Sequence, residues 1–261
     1  MRRITLILFV TTMLFASFTL MRPAGNELKT IVIDAGHGGK DPGCHGNLNN
    51  EKQVTLDIAL KLGKLIEDNM KDLKVIYTRK TDKFIELSQR SKIANDAKAD
   101  LFMSIHCNAN DKHTPYGTET YVMGLHKSAG NLAVSKRENK SILLEEDYKD
   151  NKDYGGFDPN SPIAHIIFSL YQHAYLAQSL NVAAKVEKQF KTRQNLKSRG
   201  VKQAGFLVLW RTSMPSVLVE TGFLTNEKDR MYLESDSGRL EVSNSLYQAI
   251  KEHKESLTTT N

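Results

Sequence analysis

The stretch Ile31–Gly43, IVIDAGHGGKDPG, combines a run typical of a buried strand with a glycine-rich loop that carries one histidine. Glycine allows the backbone to adopt positive φ or to approach another group closely. On such a loop, His37 could be a metal ligand, a general base or an ordinary loop residue. The rest of the chain has to distinguish between these roles.

The residues around this stretch alternate between the patterns of strands and helices. Apolar runs bounded by glycine or polar residues predict strands, and apolar residues at helical spacing predict helices. Strands are predicted at 29–36, 73–79, 100–109 and 117–123, and helices from Glu51 to about Asn69 and at 84–99. This order predicts an α/β fold with a mostly parallel mixed sheet and helices on both faces.

The second half of the chain returns to the same pattern after a polar stretch. We interpret residues 127–161 as a partly helical insertion, because they are too few and too polar to form a core of their own. Beyond them, a helix is predicted from Ile166 to Phe190, strands at 204–210 and 215–222, and two helices within 227–254. The chain is expected to form a single domain over residues 27–256.

The N-terminal segment 1–26 has two arginines followed by an uncharged apolar run from Ile4 to Met21. Such a segment is typical of a secretory signal peptide. We therefore expect an exported protein of the periplasm or cell envelope, with no stable membrane insertion after cleavage. An uncleaved anchor is the alternative, because the run is close to the roughly 17–25 residues that span a bilayer.

Charge and cysteine content narrow the remaining function classes. The formal net charge is +6, and three of the arginines behind it lie in the signal segment. So small an excess gives weak support for nucleic-acid binding, and we expect no nucleic-acid partner. Cys44 and Cys107 could form a disulfide in an oxidising compartment or remain free thiols.

Three predicted strands end at side chains that can bind a metal ion or transfer a proton. His37 follows the first strand, His106 ends LFMSIHCNA, and Glu220 ends SVLVETG. In an open α/β sheet, sites form beyond the carboxyl ends of the strands, and Glu51 at the start of its helix faces the same crevice. Two imidazoles and one carboxylate can bind Zn²⁺ and leave a fourth position for water. A further carboxylate can take a proton from that water.

Each of these residues alone also has an ordinary structural explanation. A single histidine after a strand is more often a loop residue than a ligand, and Glu51 suits a helix N-terminus. Glu220 is harder to explain, because a carboxylate at the edge of a buried strand is costly without a partner. Asp34 and Asp41 could orient His37 or simply form turns. The sequence contains no HExxH, GxSxG, GxGxxG or Walker A motif.

The chain contains four motifs in order: IVIDAGHGGKDPG, a glutamate that opens the next helix, SIHCNAN and PSVLVETGFLTNEKD. Together they resemble the zinc-dependent N-acetylmuramoyl-L-alanine amidase family, the Amidase_3 type of cell-wall amidases, over about residues 29–253. The resemblance implies hydrolysis of the amide between N-acetylmuramic acid and L-alanine in peptidoglycan, for cell-wall remodelling or daughter-cell separation. It also implies one Zn²⁺ ion bound by His37, Glu51 and His106, and a catalytic role for Glu220.

The insertion is a departure from the simplest members of that family. Members that act in daughter-cell separation carry a segment here whose helix covers the zinc and is displaced by an activator protein. The resemblance implies that SKRENKSILLEEDYKD, residues 135–150, could place Glu138, Glu145 or Glu146 on the open zinc position. A solvated charged helix is the alternative.

Two other functions remain open at this stage. A catalytically silent peptidoglycan-binding module could keep the fold, although all four site residues are present. A zinc exopeptidase on free peptides would share the α/β architecture. Such enzymes usually need two metals and more ligands than this chain offers.

Overall fold

Among the residues that the structure describes, six strands form one mixed sheet. Their bounds are β1 Thr30–Ala35, β2 Lys74–Tyr77, β3 Leu101–Asn108, β4 Thr118–Met123, β5 Ser198–Ala204 and β6 Ser216–Phe223. The spatial order is β2-β1-β3-β6-β4-β5, and every pair is parallel except β4 with β6. The predicted α/β fold with a mostly parallel mixed sheet is confirmed.

The structure is a computed structural model that describes residues 27–159, 161, 163–164, 174–192 and 197–258. The predicted signal peptide, 1–26, lies outside the described residues. So do residues 165–173, which hold most of the N-terminal part of the helix predicted from Ile166. The described part of that helix begins at Leu176.

Helices cover both faces of the sheet. Their bounds are α1 Glu51–Asn69, α2 Leu87–Asp96, α3 Ala129–Asn139, α4 Leu176–Lys191, α5 Leu207–Trp210, α6 Glu227–Glu234 and α7 Asp236–Thr258. Buried apolar residues of α1, α4 and α7 form the core on one face, and those of α2, α3 and α5 contribute to the core on the other. In the part of the chain that the structure describes, no helix combines the length and apolar character needed to cross a membrane.

Helix α1 shows how the sequence dictates the packing. Val54, Ile58, Leu62 and Ile66 recur every four residues and are all buried. This spacing places them on one side of a helix, so they meet the sheet together. Glu51 is the first helical residue, and its fixed place at the end of the glycine loop matters for the site.

The prediction of a strand at 204–210 is wrong. Leu207–Trp210 forms the short helix α5, and the strand lies just before it as β5. A short apolar run such as FLVLW is compatible with either a buried strand or a buried helix. The sequence of β5, SRGVKQA, has no apolar alternation, because its side chains are mostly only partly buried at the edge of the sheet.

Residues 127–159 pack onto the sheet as part of the main fold. They form α3 and two short 3₁₀ turns, Lys140–Leu144 and Lys152–Tyr154. Val134, Ile142 and Tyr154 are buried in the core that contains α2 and α5. This polar segment therefore shares the core of the domain, which explains how it is held over one end of the sheet.

Candidate metal centre

Four buried side chains from distant parts of the chain bring their ligand atoms together. His37 follows β1, Glu51 begins α1, His106 lies on β3 and Glu138 lies in the last turn of α3. One ligand atom from each residue lies within 4.8 Å of the other three. The structure thus brings together the three residues expected as ligands and adds Glu138, one of the three glutamates that the sequence leaves open.

The spacing of these atoms suits a metal ion. His37 Nε2 lies 3.0 Å from Glu51 Oε1 and 3.4 Å from Glu138 Oε2. His106 Nδ1 lies 3.1 Å and 3.0 Å from the same two oxygens. Tetrahedral bonds of about 2.0–2.2 Å separate ligand atoms by roughly 3.3–3.6 Å. Among the described residues, His37 Nε2 and Glu138 Oε2 have no hydrogen-bond partner although both are buried.

Glycines make room for these ligands. A Cβ on Gly36 would lie 2.5 Å from the ring of His106, and a Cβ on Gly43 would lie 2.6 Å from the carboxylate of Glu51. His37 itself has a φ of 59°, a left-handed conformation that few residues other than glycine adopt. The glycine-rich sequence is therefore required by the close packing of the cluster.

Two buried arginines hold the backbone of this loop. Arg79 donates from Nε to the carbonyl oxygen of Ala35 at 2.9 Å and from Nη2 to that of Gly36 at 2.7 Å. Arg90 donates from Nη2 to the carbonyl oxygen of His37 at 2.8 Å. Sequence reasoning missed both residues, since an arginine on an amphipathic helix or after a strand carries no signal for such a role.

Asp41 orients His37, but Asp34 does not. Asp41 Oδ2 lies 2.8 Å from His37 Nδ1 and also accepts a hydrogen bond from Ser141 at 2.8 Å. The suggestion that Asp41 holds the ring is confirmed. For Asp34 it is wrong, because its carboxylate accepts from Arg90 Nη1 at 2.8 Å instead.

The carboxylates change the proton affinity of both histidines. Burial acts to lower the pKa of His37, but Glu51, Asp41 and Glu138 outweigh it and raise that pKa well above its ordinary value. For His106, burial is likewise outweighed by Glu138 and Glu51, and the pKa rises to about 9. The cluster therefore favours positive charge at its centre, which a proton or a metal ion can supply.

Glu220 lies on β6 beside this cluster. It is fully buried and is the Cα partner of His106 in the β3–β6 ladder. Its Oε1 lies 3.3 Å from Arg137 Nη2, while its Oε2 has no hydrogen-bond partner among the described residues. Burial and the nearby Glu138 raise the pKa of Glu220 to about 8, although Arg137 acts in the opposite direction. A carboxyl with a pKa near neutrality can both accept and donate a proton.

Comparison with known proteins shows the family of the chain. A family model described as N-acetylmuramoyl-L-alanine amidase matches residues 31–252, which contain the whole cluster and Glu220. The chain belongs to the N-acetylmuramoyl-L-alanine amidase family.

Individual relatives of the amidase family agree with this match. The N-acetylmuramoyl-L-alanine amidase AmiC of Escherichia coli strain CFT073 is 33% identical over 224 residues, 85% of this chain and 52% of AmiC. AmiA of Escherichia coli K12 is 31% identical over 225 residues, 85% of this chain and 75% of AmiA. The chain thus spans about half the length of AmiC and three quarters of AmiA.

A solved structure shares the fold of this amidase. The CwlD amidase from Clostridioides difficile, in complex with the GerS lipoprotein, aligns with a TM-score of 0.62 and 26% identity. The match covers 87% of this chain and 99% of CwlD. The single α/β domain is therefore the amidase fold.

Of the three candidate glutamates in the amidase chain, Glu138 alone lies in the metal cluster. Glu145 accepts hydrogen bonds from the backbone N–H of Leu87 at 2.9 Å and from the hydroxyl of Tyr154 at 2.6 Å. Glu146 is exposed. Glu145 therefore fastens the segment to α2, and it does not reach the cluster.

The two cysteines are free thiols next to Glu51. Cys44 Sγ lies 3.3 Å from the carbonyl oxygen of Cys107, and Cys107 Sγ lies 3.4 Å from Thr221 Oγ1. Their backbone N–H groups donate to the two oxygens of Glu51, at 2.9 Å from Cys44 and 2.8 Å from Cys107. The sequence left a disulfide or free thiols open, and the structure has free thiols. The backbone N–H groups of the two cysteines hold the Glu51 carboxylate in place.

Proposed function

We propose that this chain is a peptidoglycan amidase that binds one Zn²⁺ ion through His37, Glu51 and His106. The scissile bond is the amide between N-acetylmuramic acid and L-alanine, and Glu220 is the catalytic glutamate. One observation carries the proposal. Buried nitrogen and oxygen atoms of the cluster all lie within 4.8 Å of one another, and two of them lack any hydrogen-bond partner among the described residues.

The surroundings of the ligands support a catalytic site. Three protein ligands with a fourth position for water distinguish catalytic from structural zinc sites. When bound there, zinc supplies a Lewis acid that polarises an amide carbonyl and a water molecule. Asp41 fixes the ring of His37, and the N–H groups of Cys44 and Cys107 fix Glu51. Such contacts orient ligands before the ion arrives.

Glu220 has the position and the proton affinity of a general base. Its Oε2, which no described residue hydrogen-bonds, accepts the proton of the attacking water next to His106. The same carboxyl then delivers this proton to the nitrogen of L-alanine, because an amide nitrogen leaves readily only when it is protonated. Burial, the largest cause of the raised pKa of Glu220, favours a carboxyl that first accepts and then returns a proton.

We further propose that the insertion that contains α3 holds the enzyme in an inactive state. Glu138 takes the position that the attacking water needs, and its neighbour Arg137 pairs with Glu220 at 3.3 Å. Two consecutive residues of one helix thus engage both the metal cluster and the general base. Removing α3 would free both at once.

Besides burying Val134 in the core, α3 is held by polar contacts, and these suit displacement by a partner. Asn139 Nδ2 donates to the carbonyl oxygen of Gly205 at 2.9 Å, and its Oδ1 accepts from the N–H of Leu207 at 2.9 Å. Each such bond contributes only about 0.5–1.5 kcal/mol. We propose an activator protein as the partner, and the complex of the related CwlD amidase with a lipoprotein supports this idea.

We propose that residues 1–26 direct export and are then removed. The support is the basic start and apolar run of this segment, which is typical of a signal peptide. The enzyme would act on peptidoglycan in the periplasm or cell envelope. Its expected roles are cell-wall remodelling or daughter-cell separation.

Digestion of purified peptidoglycan sacculi by the chain lacking residues 1–26 tests these proposals. We expect release of stem peptides that begin with L-alanine, dependent on zinc and lost in Glu220→Gln. Release should rise in Glu138→Gln, because the substitution weakens the contact of α3 with the cluster. If sacculi are bound but no peptide is released by any form with zinc, the amidase proposal is wrong and a silent binding module is favoured. Cleavage of free stem peptides alone would favour an exopeptidase.

A further inference from the structure

A cleft of about 530 Å³ lies next to Glu220, between α3 and the strands β4 and β5. Its charged lining is mainly basic: Arg137, Lys140, Arg199 and Lys202 stand against Asp111 and Glu119. Four cations and two carboxylates leave an excess of positive charge. Arg137 pairs with Glu138 and Glu220, so these carboxylates account for its charge. They do not account for the charges of Arg199 and Lys202 on β5.

One row of side chains connects the metal cluster to the cleft across the sheet. His106 on β3 is the Cα partner of Glu220 on β6, and Glu220 is the Cα partner of Glu119 on β4. Side chains directly opposite each other in a ladder share one face of the sheet. Arg199 on β5 continues the row, because its Nε donates to Glu119 Oε1 at 2.6 Å.

Glu119 organises the basic end of this row. It is only 2% exposed, and its carboxylate accepts hydrogen bonds from Asn108 at 2.9 Å and from the Tyr121 hydroxyl at 2.7 Å. It also accepts from both Arg199 and Lys202. One carboxylate between two cations leaves one positive charge that no described residue of this network neutralises.

Arg199 has donors left for a ligand. Its Nε is the only atom of the guanidinium that hydrogen-bonds within the described part of the chain, so both Nη groups are available. The guanidinium also lies over the ring of Phe223, with Cζ 5.4 Å from the ring centroid. These two contacts hold it in place while 31% of the side chain stays exposed. A fixed guanidinium with a free edge matches the geometry of a carboxylate.

We propose that Arg199 and Lys202 form a subsite that binds a carboxylate on the peptide part of the substrate. This inference rests on the proposed amidase function. In a muramoyl peptide, the carboxyl of the sugar is consumed in the scissile amide, so the anionic groups near that bond belong to the peptide. The basic cleft therefore marks the side on which the peptide lies, and the glycan lies on the other side of the cluster.

The sheet also limits which carboxylate is recognised. Neighbouring strands lie about 4.8 Å apart, so β5 lies roughly 10 Å from β6, which carries Glu220. An extended peptide advances about 3.3 Å per residue. The carboxylate that meets Arg199 thus belongs to the second or third residue of the stem peptide.

Two synthetic substrates test the subsite: a muramoyl tripeptide with free carboxylates on its second and third residues, and the same compound with both as carboxamides. The enzyme is the mature chain with Glu138→Gln, which the proposed function expects to be active. We expect kcat/KM to favour the acid by about tenfold or more, as for a hydrogen bond between charged groups. Arg199→Gln and Lys202→Gln should each reduce this preference, mainly through a higher KM for the acid.

Lys188→Gln is the matched control. It removes one positive charge from α4, where Lys188 pairs with Glu252 outside the cleft, and it should keep the preference for the acid. If Arg199 merely stabilises Glu119, Arg199→Gln will slow the hydrolysis of both substrates equally, and the subsite proposal is overturned. A melting temperature for each variant shows whether the fold is retained.

Binding of the peptides alone separates this proposal from the amidase proposal. The released tripeptide and its carboxamide form are titrated into the mature chain by calorimetry, without any hydrolysis. Tighter binding of the acid that is lost in Arg199→Gln supports the subsite even if neither muramoyl substrate is cleaved. Equal binding of the two peptides, or no binding of the acid at millimolar concentration, overturns it even if the amidase activity is found.

Discussion

Two groups of buried polar and charged residues are built around β1 and β3, and they differ in how completely their atoms are paired. In the first group, Asp34 accepts hydrogen bonds from Thr78 at 2.6 Å, Arg90 at 2.8 Å and Ser104 at 2.6 Å. In the second group, the metal cluster, His37 Nε2 and Glu138 Oε2 have no such partner among the described residues. Only two residues of sequence separate Asp34 from His37.

This difference separates a structural network from a site. Buried polar atoms are almost always paired, so a paired network needs nothing further, whereas buried atoms without a partner require another explanation. Asp34 has complete pairing, and it therefore stabilises the fold. The metal cluster lacks such complete pairing, and a bound metal ion would supply the missing partner.

The largest effect is expected in the paired network. Arg90→Met should lower the free energy of unfolding of the zinc-free protein by about 3–5 kcal/mol, because it leaves the buried Asp34 carboxylate without its cation. Lys92→Met on the same helix is the control. Lys92 pairs with Asp96 on the surface, and such pairs contribute about 0–1 kcal/mol. Urea unfolding measures both variants, and equal losses would remove the distinction between the two groups.

Zinc should stabilise the protein through the second group alone. At a free zinc concentration of 100 times Kd, the wild-type chain should gain about 2.7 kcal/mol of stability. His37→Asn should lose this gain while tolerating the left-handed φ of 59°. Ser104→Ala, in the paired network, should keep the gain. Thermal unfolding with zinc or with a chelator measures it, and a zinc-dependent gain that survives in His37→Asn would contradict the assignment of the cluster.

Asp41 should affect zinc affinity without being a ligand. Asp41→Asn keeps the shape of the side chain but removes the charge that lies 2.8 Å from His37 Nδ1. Loss of such a supporting contact typically lowers metal affinity by about 10–100-fold. Competition with a chromophoric chelator measures the affinity, with Asp68→Asn on the exposed side of α1 as the control. Equal affinities for the two variants would show that Asp41 only shapes the turn.

Much of the metal cluster could be predicted from the sequence, because its residues lie in short motifs. The glycine loop, the helix that starts at Glu51 and the motifs around His106 and Glu220 are short contiguous patterns. Each motif predicts both a helix or strand and the functional side chain at one end of it. The family resemblance supplied the roles expected for these four residues, and the structure places all four at one edge of the sheet.

The remainder depends on contacts between distant residues. Arg199 meets Glu119 across 80 residues, and the register between β4 and β5 that joins them leaves no trace in either segment. The choice of Glu138 over Glu145 depends on how α3 docks. The apolar residues at 132–134 of α3 are consecutive, so they do not mark one face of the helix. Arg90 and Arg79 donate mainly to carbonyl oxygens, which every residue has, so no pattern could indicate their partners.

The smallest effect concerns pH and the paired network. Burial acts to raise the pKa of Asp34, but Arg90, Ser104 and Thr78 outweigh it and hold the pKa below its ordinary value. A carboxyl with a lowered pKa in the folded state stabilises the protein above about pH 4, the pKa of an unfolded aspartate. That contribution is lost as the pH falls further, through the folded-state value. Ser104→Ala removes one of the groups that lower this pKa, so its stability should fall less steeply than that of the wild type below pH 4. Urea midpoints between pH 6 and pH 3 measure the slopes, and identical slopes would mean that the Ser104 hydroxyl does not affect the ionisation of Asp34.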